Sequence, residues 1–553
     1  MAQNNNTPWQ RLLSLMQLER EDIYKILLYA AFAGLVGLSL PLGIQAIINL
    51  IQGGQFNASI MVLIGLVLIG VIFQGVLRFM QLRIAEDLQQ RIFTRSSFEF
   101  TYRFPKIKAE AFEGYYPPEL ANRFFDTMIV QKGVPKMLID FSAALLQIIF
   151  GLILLSFYHP FFILFGVLLV ILLYVVFKFS VPEGLQTSLN ESKFKYKVAH
   201  WIEEVARSYE SFKVSDSFSL SSKKNDKLAL DYLNARESHF SILKLQFFKM
   251  IGFKALVTGA LLIIGGLLVI NQQMNIGQFV AAEIVILLMI TSVEKLILGL
   301  ENVYDVLTSL EKIGQIADLP LENQGGLKPF STSSKLNLEL QNINLIYDKS
   351  QRQVLSNINF DLSPKEHTYI YGPSGAGKTT FLKLLAGLIM PTSGQIYVND
   401  QNIQNIDFEH YRSFVGHVLP NNLPFEGSIK DNISFNNPDI TTKELNEVLE
   451  KLCLKTFVKS QPKGIETIIS TDGQQLSYTI SKKIMLARAV VSKPKLLVLK
   501  DPLNEFEPNE TEQILEYLFE ESQPWTIVVV SRKTIWKQYC KRQINLINGK
   551  LDA

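Results

Sequence analysis

The sequence predicts an α-helical membrane domain of six spans followed by an α/β domain built around a phosphate-binding loop. Three observations carry this: six long apolar runs within the first three hundred residues, alternating strand-like segments after Leu336, and the stretch GPSGAGKTT between a strand and a helix. The chain has 553 residues, 48% hydrophobic and 19% charged, and these averages hide a split between an apolar first part and a soluble-looking last two hundred residues. A formal net charge of +3 is too small to argue for nucleic acid as a partner. Two cysteines, Cys453 and Cys540, make neither a metal box nor a disulfide framework and suit a reducing compartment. The opening MAQNNNTPWQ lacks the charged, apolar, small-residue order of a cleaved signal, so residues 1–22 read as a cytosolic lead.

A bilayer crossing takes roughly 20 apolar residues. Six stretches meet this: Ile23 to Ile51, Ala58 to Met80, Met137 to Tyr158, Phe161 to Phe179, Ile251 to Ile270 and Ile276 to Leu298. Six such segments with so few charges are rare among buried helices of soluble proteins. The connectors QGGQFN, YHP and NQQMN are short and carry no Lys or Arg, whereas the two long loops, about 81–136 and 180–250, are rich in both. Positive residues stay on the cytoplasmic side, which places both termini and both long loops there, with membrane lipid around the spans. The long loops have helical periodicity and are expected to prolong the spans as stalks. Glu283 in the sixth span and Lys254 near the start of the fifth are costly there. Two readings of Glu283 stand, a group in a translocation path and a hydrogen-bonded packing residue.

The membrane domain is expected over 23–312 and a linker over 313–335, where ADLPLENQGGLKPFSTSSK gathers Pro, Gly and Ser. The α/β domain is expected over 336–553. In GPSGAGKTT the residues Gly372, Pro373, Ser374, Gly375, Ala376, Gly377, Lys378, Thr379 and Thr380 match the pattern G-x-x-x-x-G-K-S/T. The glycines let backbone N–H groups turn toward phosphate oxygens, Lys378 reaches the terminal phosphates and the Thr379 hydroxyl is a magnesium ligand. The following helix directs its positive end at the anion. Tyr347, at the end of a strand upstream, is placed to stack on an adenine ring.

With six spans, long cytosolic loops and this loop-bearing domain, the chain resembles an ABC exporter half-transporter, similar to bacterial type I secretion exporters. GPSGAGKTT is that family's Walker A, Tyr347 its aromatic A-loop, and IGQFVAAEIVI resembles the sixth span of the secretion subgroup. PPELANRFFD, Pro117 to Asp126, and WIEEVARSYESFK, Trp201 to Lys213, resemble its coupling segments. The resemblance implies ATP as ligand, a homodimer or a heterodimer with another ABC half-transporter, a multi-pass place in the bacterial inner membrane, and a membrane-fusion-type adaptor as a further partner.

Several positions depart from the family pattern. Where the family has LSGGQ, this chain has Leu476, Ser477, Tyr478, Thr479 and Ile480, so Cβ atoms and a ring replace glycines that approach a phosphate. Pro420 stands at the Q-loop glutamine, with Asn421 adjacent, and Ser531 stands at the switch histidine. In LLVLKDPLNEF, Lys500 takes the place of the magnesium-ordering Asp, and Asp501 that of the Glu that activates water. A one-residue shift would instead give Asp501 the magnesium place, but a slip sends every strand side chain to the opposite face. Mg²⁺ is therefore expected to bind weakly, Lys500 to pair with phosphate, and hydrolysis to be impaired. The function expected is that of an exporter subunit that binds ATP and moves a protein or peptide outward. The alternative is a non-hydrolysing nucleotide-binding scaffold or regulatory subunit of a secretion assembly.

Overall fold

The computed structural model describes residues 7–54, 58–215, 218–331, 334–347, 352–420 and 422–552. Asn421, and residues 55–57 of the first short connector, lie outside them. The chain divides into two compact units, Met1–Pro105 with Tyr115–Leu319, and Lys106–Gly114 with Pro320–Ala553.

The first unit is all helical. Thr7 caps α1 (Pro8–Leu18) through a reciprocal pair with Gln10, the arrangement that satisfies two orphan N–H groups at once. The first apolar run is two helices, α2 (Arg20–Gly37) and α3 (Ser39–Gln52), joined at Leu38 just before Pro41. There follow α4 (Ala58–Arg103), α5 (Pro117–Asn122), α6 (Asp126–Ser156), α7 (Phe161–Arg207), α8 (Tyr209–Val214) and α9 (Phe218–Ala260). A π-helical stretch, Leu261–Gly265, leads into α10 (Gly266–Ile270), and α11 (Ile276–Ala317) closes the unit behind an Asn275–Gln278 capping pair. Six helical segments among the described residues are long and apolar enough to cross a membrane.

At 1.5 Å per residue, the 46 residues of α4 reach about 69 Å, more than twice the ~30 Å of hydrocarbon. Much of the segments 81–136 and 180–250 is thus continuous helix. Outward side chains such as Met61, Ile69, Ile72 and Phe79 stay exposed, as lipid-facing positions do. α11 is the central helix, and half of its most apolar window is buried. It continues to Ala317, five residues into the segment read as linker, because its apolar face runs on through Val303, Val306, Leu307, Leu310 and Ile316. Lys254 faces Glu294 of α11 across 3.8 Å, and Glu283 is half-buried.

Among its described residues the second unit holds three sheets. An antiparallel sheet orders β2 (Arg352–Leu362), β1 (Leu338–Tyr347), β4 (Ser393–Val398) and β5 (Gln401–Asn402). The central sheet runs β12 (Lys550–Asp552), β11 (Arg542–Ile547), β3 (Thr368–Tyr371), β10 (Thr526–Val530), β9 (Leu496–Lys500) and β6 (Val415–Val418). It is parallel except for the β11–β12 hairpin. A short ribbon pairs β7 (Gly427–Ser428) with β8 (Ile468–Ile469). Every residue of β10, and Leu496 to Leu499 of β9, is buried, as in parallel strands covered on both faces. One core packs Leu496 and Val498 with α12 (Lys378–Leu385) and the antiparallel sheet, and the other packs Leu497 and Leu499 with the helix Tyr478–Val491. Residues 106–114, from the first long loop, belong to this unit. Ile107 bridges Leu321, and the Glu110 carboxylate accepts the Met390 N–H at 3.1 Å. These residues lie upstream of the Pro117–Asp126 stretch quoted above.

Candidate functional site

The carboxyl ends of β3, β9 and β10 open onto a cavity of about 790 Å³. Such strand ends are where open α/β sheets place their ligands. The chain leaves β3 through Gly372, whose φ of +143° and close approach to the Leu546 carbonyl leave no room for a Cβ. The loop turns through Gly375 and Gly377, also at positive φ, and α12 begins at Lys378. Every loop residue predicted from the sequence except Pro373 lines the cavity, from Gly372 and Ser374 through Thr380. The Lys378 ammonium folds over the loop and donates to the Gly372 and Pro373 carbonyls at 2.7 and 2.6 Å. Tyr347 lines the same cavity, its hydroxyl 3.5 Å from Thr380 Oγ1.

The register of β9 settles which residue faces this loop. Val530 of β10 pairs with Lys500, and side chains alternate faces along a strand. Leu496 and Val498 face α12, so Lys500 does too, and β9 ends there, one residue before Asp501. The Lys500 ammonium donates to the Thr379 hydroxyl at 2.5 Å. Asp501 sits at a φ of +44°, and its carboxylate accepts the Arg532 backbone N–H at 3.1 Å. Ser531 is buried at the end of β10, and its hydroxyl accepts the Lys533 N–H at 3.2 Å in a local turn. Lys500, Asp501 and Ser531 all line the cavity, 121 or more positions away from Thr379 in sequence.

Sequence reasoning missed two arginines of this cavity, Arg352 and Arg532. The run SRKT beside Ser531 carries a signal for the second, and nothing local marks the first. Among the described residues, the lining cations are Lys378, Lys500, Arg352 and Arg532, and the lining carboxylate is Asp501. Burial, and after it the charges of Lys500 and Arg532, hold the Lys378 ammonium below the ordinary lysine range, with Asp501 opposing. A Mg²⁺ ion at such a loop needs the threonine hydroxyl and a carboxylate at the neighbouring strand end. Here that hydroxyl faces an ammonium, and Asp501, the lining carboxylate among the described residues, accepts from the loop after β10. This donor set does not suit a divalent cation.

The remaining predicted positions lie elsewhere. Leu476 to Ile480 form the start of the helix Tyr478–Val491, away from this cavity's lining. Ser477 caps that helix, accepting the Ile480 N–H at 3.3 Å and sharing a 3.0 Å hydrogen bond with the Thr479 hydroxyl. Tyr478 is exposed, and the Lys482 ammonium sits 5.5 Å from its ring centre. Pro420 is exposed after β6.

Comparison with known proteins bears on the family and the fold. Residues 23–293 match the model of the ABC transporter transmembrane region, and residues 355–504 match the ABC transporter model. The chain is 29% identical over 287 residues to the probable microcin-H47 secretion/processing ATP-binding protein of Escherichia coli, covering 50% of this chain and 39% of that protein. It is 27% identical over 283 residues to the colicin V secretion/processing ATP-binding protein of Escherichia coli, covering 49% and 39%. The match thus spans about two-fifths of the length of these curated relatives. A solved bacterial Atm1-family ABC exporter with ATP bound shares the fold, with a TM-score of 0.83 at 16% identity, over 97% of this chain and 96% of that one. With its apolar helices matched by one model and its phosphate-loop domain by the other, the chain belongs to the ABC transporter family and carries both a transmembrane region and an ABC domain.

Proposed function

We propose that this chain is a subunit of an ABC exporter in a bacterial inner membrane that binds ATP, moves a protein or peptide outward, and hydrolyses ATP slowly or not at all. The relatives named for secretion of a microcin and a colicin support the substrate class. The lysine-free short connectors support cytoplasmic termini and a cytoplasmic α/β domain. The working assembly is a dimer with a second copy or another half-transporter, joined in secretion by an adaptor of the membrane-fusion type.

One observation carries the hydrolysis reading, the Lys500 ammonium on the Thr379 hydroxyl. Phosphoryl transfer depends on positioned cations and on an oriented water, with little covalent chemistry for the protein to do. Asp501 stands where water would be activated, and its reach is one methylene less than glutamate's. A displacement of about 1 Å costs around a hundredfold in rate. Ser531 offers a hydroxyl, which neither carries positive charge nor relays protons as imidazole does.

The test is ATP turnover by the purified chain in lipid, beside Lys378→Ala. The expected result is turnover far below the ~10 s⁻¹ typical of enzymes. Turnover at that level, lost in Lys378→Ala, overturns the reading of slow hydrolysis. Export is tested by comparing proteins and peptides in the medium of cells with and without the gene. An unchanged medium, with ATP binding intact, points instead to a scaffold or regulatory subunit.

A further inference from the structure

The phosphate loop is intact, yet its cation arrangement is inverted. Lys500 Nζ lies 2.5 Å from Thr379 Oγ1, on the face of β9 that looks toward α12. A magnesium ion coordinated to that hydroxyl would sit within a few ångströms of this ammonium. Like charges that close repel strongly at any dielectric suited to a protein pocket. An ammonium in the same place donates hydrogen bonds to phosphate oxygens directly and needs no metal. Three further cations, Lys378, Arg352 and Arg532, line the cavity, and the backbone turn ahead of α12 adds N–H donors at a helix N-terminus. A free nucleoside triphosphate carries two more negative charges than its magnesium complex, so this cavity favours the free anion.

We propose that the pocket takes a nucleoside triphosphate as its metal-free anion, with the Lys500 ammonium in the place of the divalent ion, so that Mg²⁺ competes with binding. This deepens the reading of the cavity as a nucleotide site and rests on it. The site then answers to the balance of free nucleotide and magnesium.

The experiment measures ATP binding to the full chain in lipid by calorimetry, once with excess EDTA and once with millimolar MgCl₂. Binding is expected in EDTA and to weaken about tenfold in MgCl₂, a Coulomb effect discounted for solvent at the cavity mouth. Lys500→Asp is expected to invert the preference. Lys500→Met is expected to weaken binding in EDTA about tenfold and to erase the difference between the two conditions. As a direct probe, Mn²⁺ observed by paramagnetic resonance is expected to stay off the ATP-loaded wild type and to bind ATP-loaded Lys500→Asp. Wild-type binding that needs Mg²⁺, or Mn²⁺ held at the loaded wild-type site, overturns the proposal and leaves the nucleotide reading standing. EDTA binding unchanged in Lys500→Met overturns it as well. No ATP binding in either condition overturns the nucleotide reading and the proposal with it.

Discussion

Replacing Gly372 by alanine separates two reasons a phosphate loop needs glycine. Gly372 has a φ of +143°, and a Cβ there would meet the Leu546 carbonyl oxygen at 2.1 Å and its carbon at 3.1 Å. Leu546 is fully buried in β11, so neither partner moves cheaply. Gly375, three residues on, has a φ of +82°, and a Cβ there meets nothing within 4 Å. The left-handed conformation alone costs a side chain roughly 1–2 kcal/mol. Forcing an extra carbon into a packed contact adds about 1–3 kcal/mol. Gly372→Ala is therefore expected to destabilise the strand ends around the loop by about 3 kcal/mol, and Gly375→Ala by about 1 kcal/mol. Hydrogen exchange of the purified chain reads this locally, through faster exchange of β3 and β11 amides in the first variant only. Equal losses in the two variants would refute the reasoning, because the positive φ, and not the close approach to β11, would then set the requirement.

Further outcomes follow from other contacts in the α/β unit. Lys483 has a side chain only 4% exposed, paired to Glu510 at 2.5 Å, so Glu510→Ala strands a buried ammonium. A loss of about 2–3 kcal/mol in denaturant unfolding is expected, and less for Lys483→Met, which removes the charge itself. Leu499, fully buried in β9, is expected to cost about 3 kcal/mol on truncation to alanine, read as a lower unfolding midpoint. Burial, with the nearby Lys365 and Lys541 charges, pushes His367 down to about 4, while its Nδ1 accepts the Ile527 N–H at 3.1 Å. The folded value lies below the unfolded ~6.5, so this contribution is full above pH ~6.5 and is lost as pH falls toward 4. Discounted for partial exposure, the loss is about 1–2 kcal/mol, and thermal unfolding across that window is expected to flatten in His367→Gln.

The six spans and the phosphate loop were legible because both are local properties. An apolar run long enough for a bilayer, or a glycine–lysine spacing between a strand and a helix, is complete within about 25 residues. The sequence also marked Lys500, since an ammonium follows the greasy run LLVL where the family has a carboxylate. It favoured Lys500 over Asp501 in the magnesium-ordering place, because a one-residue slip would turn every strand side chain to the opposite face. The pairing of Lys500 with Val530, and the packing of Leu496 and Val498 against α12, put Lys500 on the α12 side of β9. The contact of Lys500 with Thr379, and the place of Arg532 in the cavity, arise where parallel strands joined by long crossovers end side by side, and Arg352 reaches the same cavity from the start of β2 in the antiparallel sheet. The attachment of residues 106–114 to the α/β unit is of the same kind, through Ile107 and Glu110. Hydropathy and motif spacing are written along the chain. Strand register and the meeting of distant charges are set by folding in three dimensions, and only the tertiary structure could bring the Lys500 ammonium onto the Thr379 hydroxyl, 121 positions away.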